Sequence, residues 1–289
     1  MTSDICPQYL YKYLAPERID VLDKAVLRYS PFGAFNDPFE GRPHIPRISS
    51  VKHILEVFDQ VALDEVRQGY EQLPIQVCSR LSFEQFKTMF TIMVEPQKSK
   101  MVELIHSFTP NLTDFFDKKM NELLGALCLS EVPDNQLMWA HYGMSLTGFA
   151  LEFDAGHEYF HEQRSPGDEL RHLRRVIYQD ARPSGDFSDM DATKLMLIKG
   201  SNWSYEREWR IFRAFADAQT VMPGNPYLIH IFSFPRQALK GVILGARIAS
   251  EAEGTIRQIL RSHEEYSPVQ LKRVSMDSSS YALHVTPAD

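Results

Sequence analysis

Cysteine is scarce. Cys6, Cys78 and Cys128 are the three in 289 residues, far apart and never in a CxxC pair. That spacing excludes a disulfide framework and the usual thiolate zinc or redox sites, and the expectation is a reducing, cytoplasmic setting. Long apolar runs are absent too. Nothing approaches the roughly 18 consecutive apolar residues of a membrane helix. The opening MTSDICPQYLYKYL has no charged segment leading into an apolar one, so no signal peptide and no membrane partner is expected. Positive charge is the minority sign, with 31 Lys and Arg against 38 Asp and Glu for a net charge of −7. A general nucleic-acid binder needs a basic face, so only a local basic groove remains open. The chain has no glycine-rich phosphate loop, no HExxH and no GxSxG. Its histidines are scattered. His157 and His161 stand four apart but in the polar stretch GHEYFHEQRSPGDE, so no zinc pair and no metal site is read.

What remains has ordinary globular composition, 44% hydrophobic and 24% charged. The length reaches the upper range of one domain. The opening LYKYL reads as a short strand over 9–13, followed by a helical turn begun by Pro16, and AVLRYSP as a second strand. Between about 47 and 124, apolar residues recur at three- and four-residue spacings, which predicts a helical insertion with breaks near Pro74 and Pro110. After it, GALCLS, GFALEFD, RRVIYQ, EWRIFRAF, YLIHIF and KGVILG are short apolar or alternating runs between polar turns. ASEAEGTIRQILRSHEEYS follows as an amphipathic helix, and strands close the chain. The fold class expected is α+β: one compact domain over 1–289 with a small mixed sheet and a helical insertion after its first strands.

Four segments carry polar and aromatic residues that a core alone does not require. In the first strand, Tyr11 and Tyr13 share one face and Lys12 takes the other. That is a half-buried strand with its lysine in water, or an aromatic platform beside a cation for phosphate. In FNDPFEG, Asn36, Asp37 and Pro38 signal a capped turn, with Asp37 and Glu40 at a cleft mouth and both Phe residues as anchors. In DNQLMWAHYG, Asp134 or Asn135 caps a short helix. Trp139 and Tyr142, three apart, share its face and could hold a planar ring such as nicotinamide or adenine. His141 lies between them and could serve as a general acid or base. In KGSNWSYEREWRIF, Glu206, Glu208 and Arg210 alternate and would share one face of a strand, with Lys199, Trp203 and Tyr205 nearby. Two carboxylates and a guanidinium on one face are costly to bury unless paired. The alternatives are a solvated edge strand with ion pairs and a catalytic carboxylate held by arginine.

LYKYL, FNDPFEG, CLSEVPDNQLMWAHYGMSLTGFALEFD, WSYEREWRIF and FPRQALKGVILGARI occur here in that order. Together they resemble a bacterial family known as domain of unknown function 2971, over nearly the whole chain and least over 47–120. That resemblance implies no reaction. A second similarity is to ADP-ribosyltransferase-like folds, which carry a polar residue on an early strand, an aromatic or Ser on a later one, and a Glu near a third. The matching order here is Tyr11–Tyr13, then Trp139–Tyr142, then Glu206 or Glu208. The departures are the missing early His or Arg and the missing Ser-Thr-Ser motif.

That second similarity implies an enzyme that uses NAD as a substrate to modify a macromolecule, a toxin or phage-defence effector. Its acceptor would be a nucleic acid or a protein, and its partners an antitoxin or other defence components. Glu208 or Glu206 would be the catalytic carboxylate, with His141 as acid or base. Tyr11, Lys12, Tyr13, Asn36, Asp37, Trp139, Tyr142 and Arg210 would hold the dinucleotide. Two other readings fit the same residues: a Mg²⁺-dependent phosphodiesterase or nuclease built on Asp37, Glu40, Glu206 and Glu208, and a non-enzymatic nucleotide sensor or adaptor.

Overall fold

The computed structural model describes residues 6–288. Its strands are β1 Tyr9–Leu14, β2 Val26–Tyr29, β3 Leu124–Ser130, β4 Phe149–Asp154, β5 Arg174–Arg175, β6 Ile177–Gln179 and β7 Ile198–Gly200. They continue with β8 Glu208–Ala214, β9 Thr220–Met222, β10 Ile229–Ser233, β11 Leu239–Leu244, β12 Gln270–Met276 and β13 Leu283–Pro287. The helices are α1 Asp20–Lys24, α2 Val51–Glu71, α3 Ile75–Cys78, α4 Phe83–Val94, α5 Lys98–Ser107, α6 Thr109–Leu123, α7 Gln136–His141, α8 Ala192–Leu195 and α9 Ser250–Ser262. The class is α+β. None of the helices among the described residues is long and apolar enough to cross a membrane.

Two compact units divide the chain. One holds residues up to 42, 118–182 and 192–289; the other holds 43–117 and 183–191. The second unit carries helices α2 to α5. Ser50 caps α2 by accepting from the His53 amide, and Ser82 caps α4 in a full capping box with Gln85. Residues 183–191 join these helices through Arg47–Asp186 at 2.6 Å and Ser49–Ser188 at 2.9 Å. The helices expected over 47–124 are therefore present. Pro110, expected as a break, sits in the first turn of α6, where its missing N–H costs nothing.

The first unit is built on an eight-stranded sheet in the order β13-β12-β11-β4-β1-β3-β8-β5, larger than the small sheet expected from the sequence. Its neighbours pair antiparallel except β11 and β12, which are parallel. Fully buried Leu10, Phe149, Leu151, Phe153, Ile211, Val242 and Leu244 form the main core with α9 residues Ile256 and Ile259. One pairing is incomplete. β1 follows β4 from Tyr9↔Asp154 to Leu14↔Phe149, and β3 follows β8 from Leu124↔Ala214 to Ser130↔Glu208. Between them, β1 and β3 pair only at Tyr11↔Ser130. The sheet is split at its middle, and β2 crosses nearby, bridging Ser30 to Ala126.

Trp139 is the largest fully buried side chain. Its ring meets Tyr13 edge-on at 5.1 Å, and its indole N–H donates to the Pro133 carbonyl at 2.8 Å. The site is thus apolar around the ring and satisfied at its one polar atom. Trp139→Ala is expected to cost about 3–5 kcal/mol, read as a lower midpoint in denaturant with an unchanged slope.

Candidate functional site

A cavity of about 200 Å³ opens where β1 and β3 part. Tyr11, Lys12 and Tyr13 line it from β1, and Ala126, Cys128, Leu129 and Ser130 from β3. Phe35 and Asn36 close one side. Met138 and Tyr142 close another, with Lys199, Glu206 and Glu208 at the back.

The carboxylates reach this wall by a route the alternation rule did not anticipate. Glu206 is not on a strand. It ends a 3₁₀ turn over Ser201–Glu206, Arg207 then takes a left-handed conformation at φ 43°, and β8 begins at Glu208. That kink brings both carboxylates to one ammonium. Lys199 Nζ donates to Glu206 Oε2 at 2.6 Å and to Glu208 Oε2 at 3.0 Å. Burial disfavours the Lys199 charge, but Glu208 and Glu206 outweigh it and hold the ammonium above its ordinary value. The turn is pinned from below, where the Ser130 hydroxyl donates to the Glu206 carbonyl at 2.6 Å. Tyr178 accepts the Glu208 amide at 2.9 Å.

The two glutamates hold different positions. Glu208 is tied into the protein: Arg210 donates Nε to its Oε1 at 2.7 Å and Nη2 to its Oε2 at 2.8 Å. Burial pushes the Glu208 carboxyl up; Lys199 pulls it back, and the Glu206 charge adds to the rise. Glu206 instead faces the tyrosine side of the pocket, where the Tyr142 hydroxyl donates to its Oε1 at 2.6 Å. Burial and then the Glu206 charge hold the Tyr142 phenol above its usual range, so it stays a donor at neutral pH.

Several sequence expectations change here. Trp139 does not face a ligand. It and Tyr142 do not share an exposed face: Tyr142 continues the turn of α7 as its C-cap, its amide donating to the Met138 carbonyl at 2.9 Å, but Trp139 is fully buried and Tyr142 alone of the two lines the pocket. The ring of Trp139 fills the space where a side chain at Gly143 would sit, at 2.5 Å from an added Cβ. Met144, Ser145 and Leu146 then turn left-handed to return the chain to β4. His141 is exposed and outside the cavity, with Nδ1 3.4 Å from the Tyr205 hydroxyl. That position gives it no reach to a reacting group in the pocket.

Arg210 is fully buried behind the wall. It binds Glu208, the Met196 carbonyl at 2.7 Å and Glu40, so it positions carboxylates rather than touching a ligand. The acids of FNDPFEG do not face a cleft either. Glu40 is buried against Arg210 and lies 3.5 Å from Lys199, while Asp37 is turned back to accept the Phe39 amide at 2.9 Å. Gly41, at φ 69°, turns the chain next to Phe32. Of the two Phe residues, Phe35 packs on Phe32 at 5.3 Å and lines the pocket, whereas Phe39 is 62% exposed, with the Arg182 guanidinium 5.4 Å from its ring centre.

Lys12 is not in water. Its Nζ donates to the Cys128 carbonyl at 3.0 Å, and its surface lines the cavity. Tyr11, Tyr13, Asn36, Tyr142, Glu206 and Glu208 do meet there with it. Sequence reasoning misses Ser130 and Cys128 as pocket residues, because a lone Ser or Cys in a short apolar run gives no sign of facing a cavity. Lys199 could be found from its place seven residues before Glu206, one end of a tight turn. Among the described residues, no group of three or more His, Cys, Asp or Glu is placed to hold a metal ion. Lys199 and Arg210 lie between the carboxylates that a metal would need.

Comparison with known proteins finds a family match over part of this site. The model of a protein of unknown function, DUF2971, matches residues 138–211, which bears out that resemblance over the segment carrying Tyr142, Lys199, Glu206, Glu208 and Arg210. No curated protein and no solved structure matches the chain.

Proposed function

We propose that this chain is an ADP-ribosyltransferase-like enzyme that uses NAD to modify a macromolecule. The observation that carries the reading is a buried carboxylate, Glu206, held between Tyr142 and Lys199 in a pocket opened by a split sheet. At about 200 Å³ the cavity falls below the roughly 300–1,000 Å³ of a site that engulfs a drug-sized ligand. It suits one end of a dinucleotide, a flat nicotinamide ring with its ribose. Tyr11, Tyr13, Phe35 and Tyr142 supply aromatic walls for that ring.

The chemistry follows from the charge that appears. As the bond from ribose C1′ to nicotinamide breaks, its electron pair leaves with nicotinamide, and the sugar becomes oxocarbenium-like. Glu206 accepts a ribose hydroxyl and sets a negative charge against that centre, fixed in advance by Tyr142 and Lys199. The acceptor then bonds to C1′ and gives up its proton to solvent. Glu208 does not take this role, because three hydrogen bonds from Arg210 and Lys199 hold it, whereas Glu206 takes two and keeps lone pairs for a ribose hydroxyl.

We place the activity in the cytoplasm as a toxin or phage-defence effector, with nucleic acid or protein as acceptor and an antitoxin or defence component as regulator. The deciding experiment is NAD turnover by purified protein, alone and with RNA, DNA or cell lysate, read as free nicotinamide. Release without added metal is expected. Turnover of labelled nucleic acid that needs Mg²⁺, with no nicotinamide, would replace this reading by phosphodiester chemistry. Binding of nucleotide without turnover would replace it by a sensor.

A further inference from the structure

Lys199 and Arg210 are both matched by carboxylates, but two other cations of the same region are not. Lys12, in the pocket wall, makes one hydrogen bond, to a backbone carbonyl, and no ion pair. An ammonium has three donors, so two are left for something else. Arg28 lies on β2, two residues before pocket-lining Ser30 and on the same face of the strand; Leu27 and Tyr29 point the other way into the core. Arg28 is half-buried, has no ion pair, and its Nε is fully enclosed without a hydrogen-bond partner. Burial lowers both groups from their ordinary values. Arg18 lowers Arg28 further, and Arg18 and Arg28 lower Lys12 against the opposing pull of Cys128 and Glu208. Both cations approach β3 at positions two residues apart, since Ser30 bridges Ala126 and Lys12 donates to the Cys128 carbonyl, and Ser30 and Lys12 both line the pocket. Arg18 is the member with a partner, Asp20, at 3.4 Å.

Unpaired cations that have lost water and gained no anion are costly, and a fold keeps them where a ligand supplies the missing charge. We propose that Lys12 and Arg28 form an oxyanion site where β1 and Ser30 line the pocket, and that it takes the phosphate of a nucleotide whose neutral end lies toward Glu206. The geometry that points there is one cation lining the cavity, a second on β2 with an enclosed and unpartnered Nε, two residues before pocket-lining Ser30, and the Glu206–Glu208 carboxylates in the same pocket. The identification of the nucleotide as NAD rests on the function proposed above; the oxyanion site does not.

Calorimetric titration of the full chain at low salt tests this with nicotinamide mononucleotide, nicotinamide riboside and inorganic pyrophosphate as separate probes. The wild type is expected to bind the mononucleotide at least tenfold more tightly than the riboside. Lys12→Met and Arg28→Met should each remove that advantage and leave riboside binding unchanged. One lost hydrogen bond to a charged group amounts to a factor of about ten or more. Both variants delete a cation without a carboxylate partner, so both are expected to melt no lower than wild type. Lys12→Arg should recover part of the affinity. Pyrophosphate that binds with the same dependence on Lys12 and Arg28, while neither nicotinamide compound binds, would sustain the oxyanion site and remove the NAD reading. An advantage for phosphate that survives in both variants, or a wild type that binds no phosphate-bearing probe, overturns the proposal.

Discussion

Arg210→Met is expected to destabilise the first unit by about 3–5 kcal/mol, a large share of the stability of an ordinary domain. The size comes from what the substitution leaves behind. Arg210 is fully buried, and its guanidinium is the shared partner of Glu208 and Glu40. Without it, Glu40 and Glu208 face each other across a dry space with Lys199 alone to answer three carboxylates. Methionine matches much of the volume, so a cavity contributes little, and the cost is almost wholly the uncompensated charge.

That origin sets a pH dependence. Glu208 already has a folded pKa raised above its ordinary value by burial, so folding favours its protonated form. Losing Arg210 raises Glu208 further. A raised folded pKa gives stability that is present below the unfolded value and lost as pH rises through the folded one. The deficit of Arg210→Met relative to wild type should therefore be small near pH 4.5 and grow toward neutrality. Denaturant unfolding at several pH values checks this, and adding Glu40→Gln and Glu208→Gln should recover much of the loss at neutral pH. A deficit that is flat with pH would mean that lost packing, not orphaned charge, is the cause.

This network also marks where sequence reading succeeded and where it stopped. Period-2 alternation puts Glu208 and Arg210 on one strand face, as β8 has them, whereas order along the chain cannot show that Tyr11, Tyr142 and Glu206 meet in one pocket, which is a finding of the structure. Alternation misplaces Glu206, because it assumes an unbroken strand and cannot register a left-handed residue at Arg207. Trp139 and Tyr142 are misjudged for another reason. Three-residue spacing puts two rings on one face but does not say which of them the core takes, and here it takes Trp139 and leaves Tyr142 to the pocket. Glu40 was the hardest to place. Its partner Arg210 is 170 residues away, and nothing local distinguishes a glutamate at a cleft rim from one turned inward to a buried guanidinium. The split between β1 and β3 was equally hidden. Both strands read as ordinary apolar runs, and only the sheet order shows that they part.

Glu206→Gln is expected to lower the rate of nicotinamide release by about 10²–10³-fold, the range for removing one preorganised electrostatic group from a transition state. KM for NAD should change little, because the neutral amide still accepts a ribose hydroxyl and the missing charge matters only once the oxocarbenium character develops. The fold should survive. Lys199 keeps Glu208 at 3.0 Å, and Tyr142 can donate to the amide oxygen as it did to the carboxylate. Glu208→Gln is the informative companion. It weakens the Arg210 and Lys199 pairs directly, so its loss of turnover should come with a lower melting temperature and a distorted wall. Placing the catalytic charge at Glu206 therefore requires a particular pair of results: a large fall in kcat at an unchanged melting temperature for Glu206→Gln, and losses of both for Glu208→Gln. If the two variants instead lose turnover in proportion to their stability, neither carboxylate acts on the substrate and the pair is a structural brace. If Glu206→Gln keeps full turnover at full stability, the charge that meets the sugar is not in this wall.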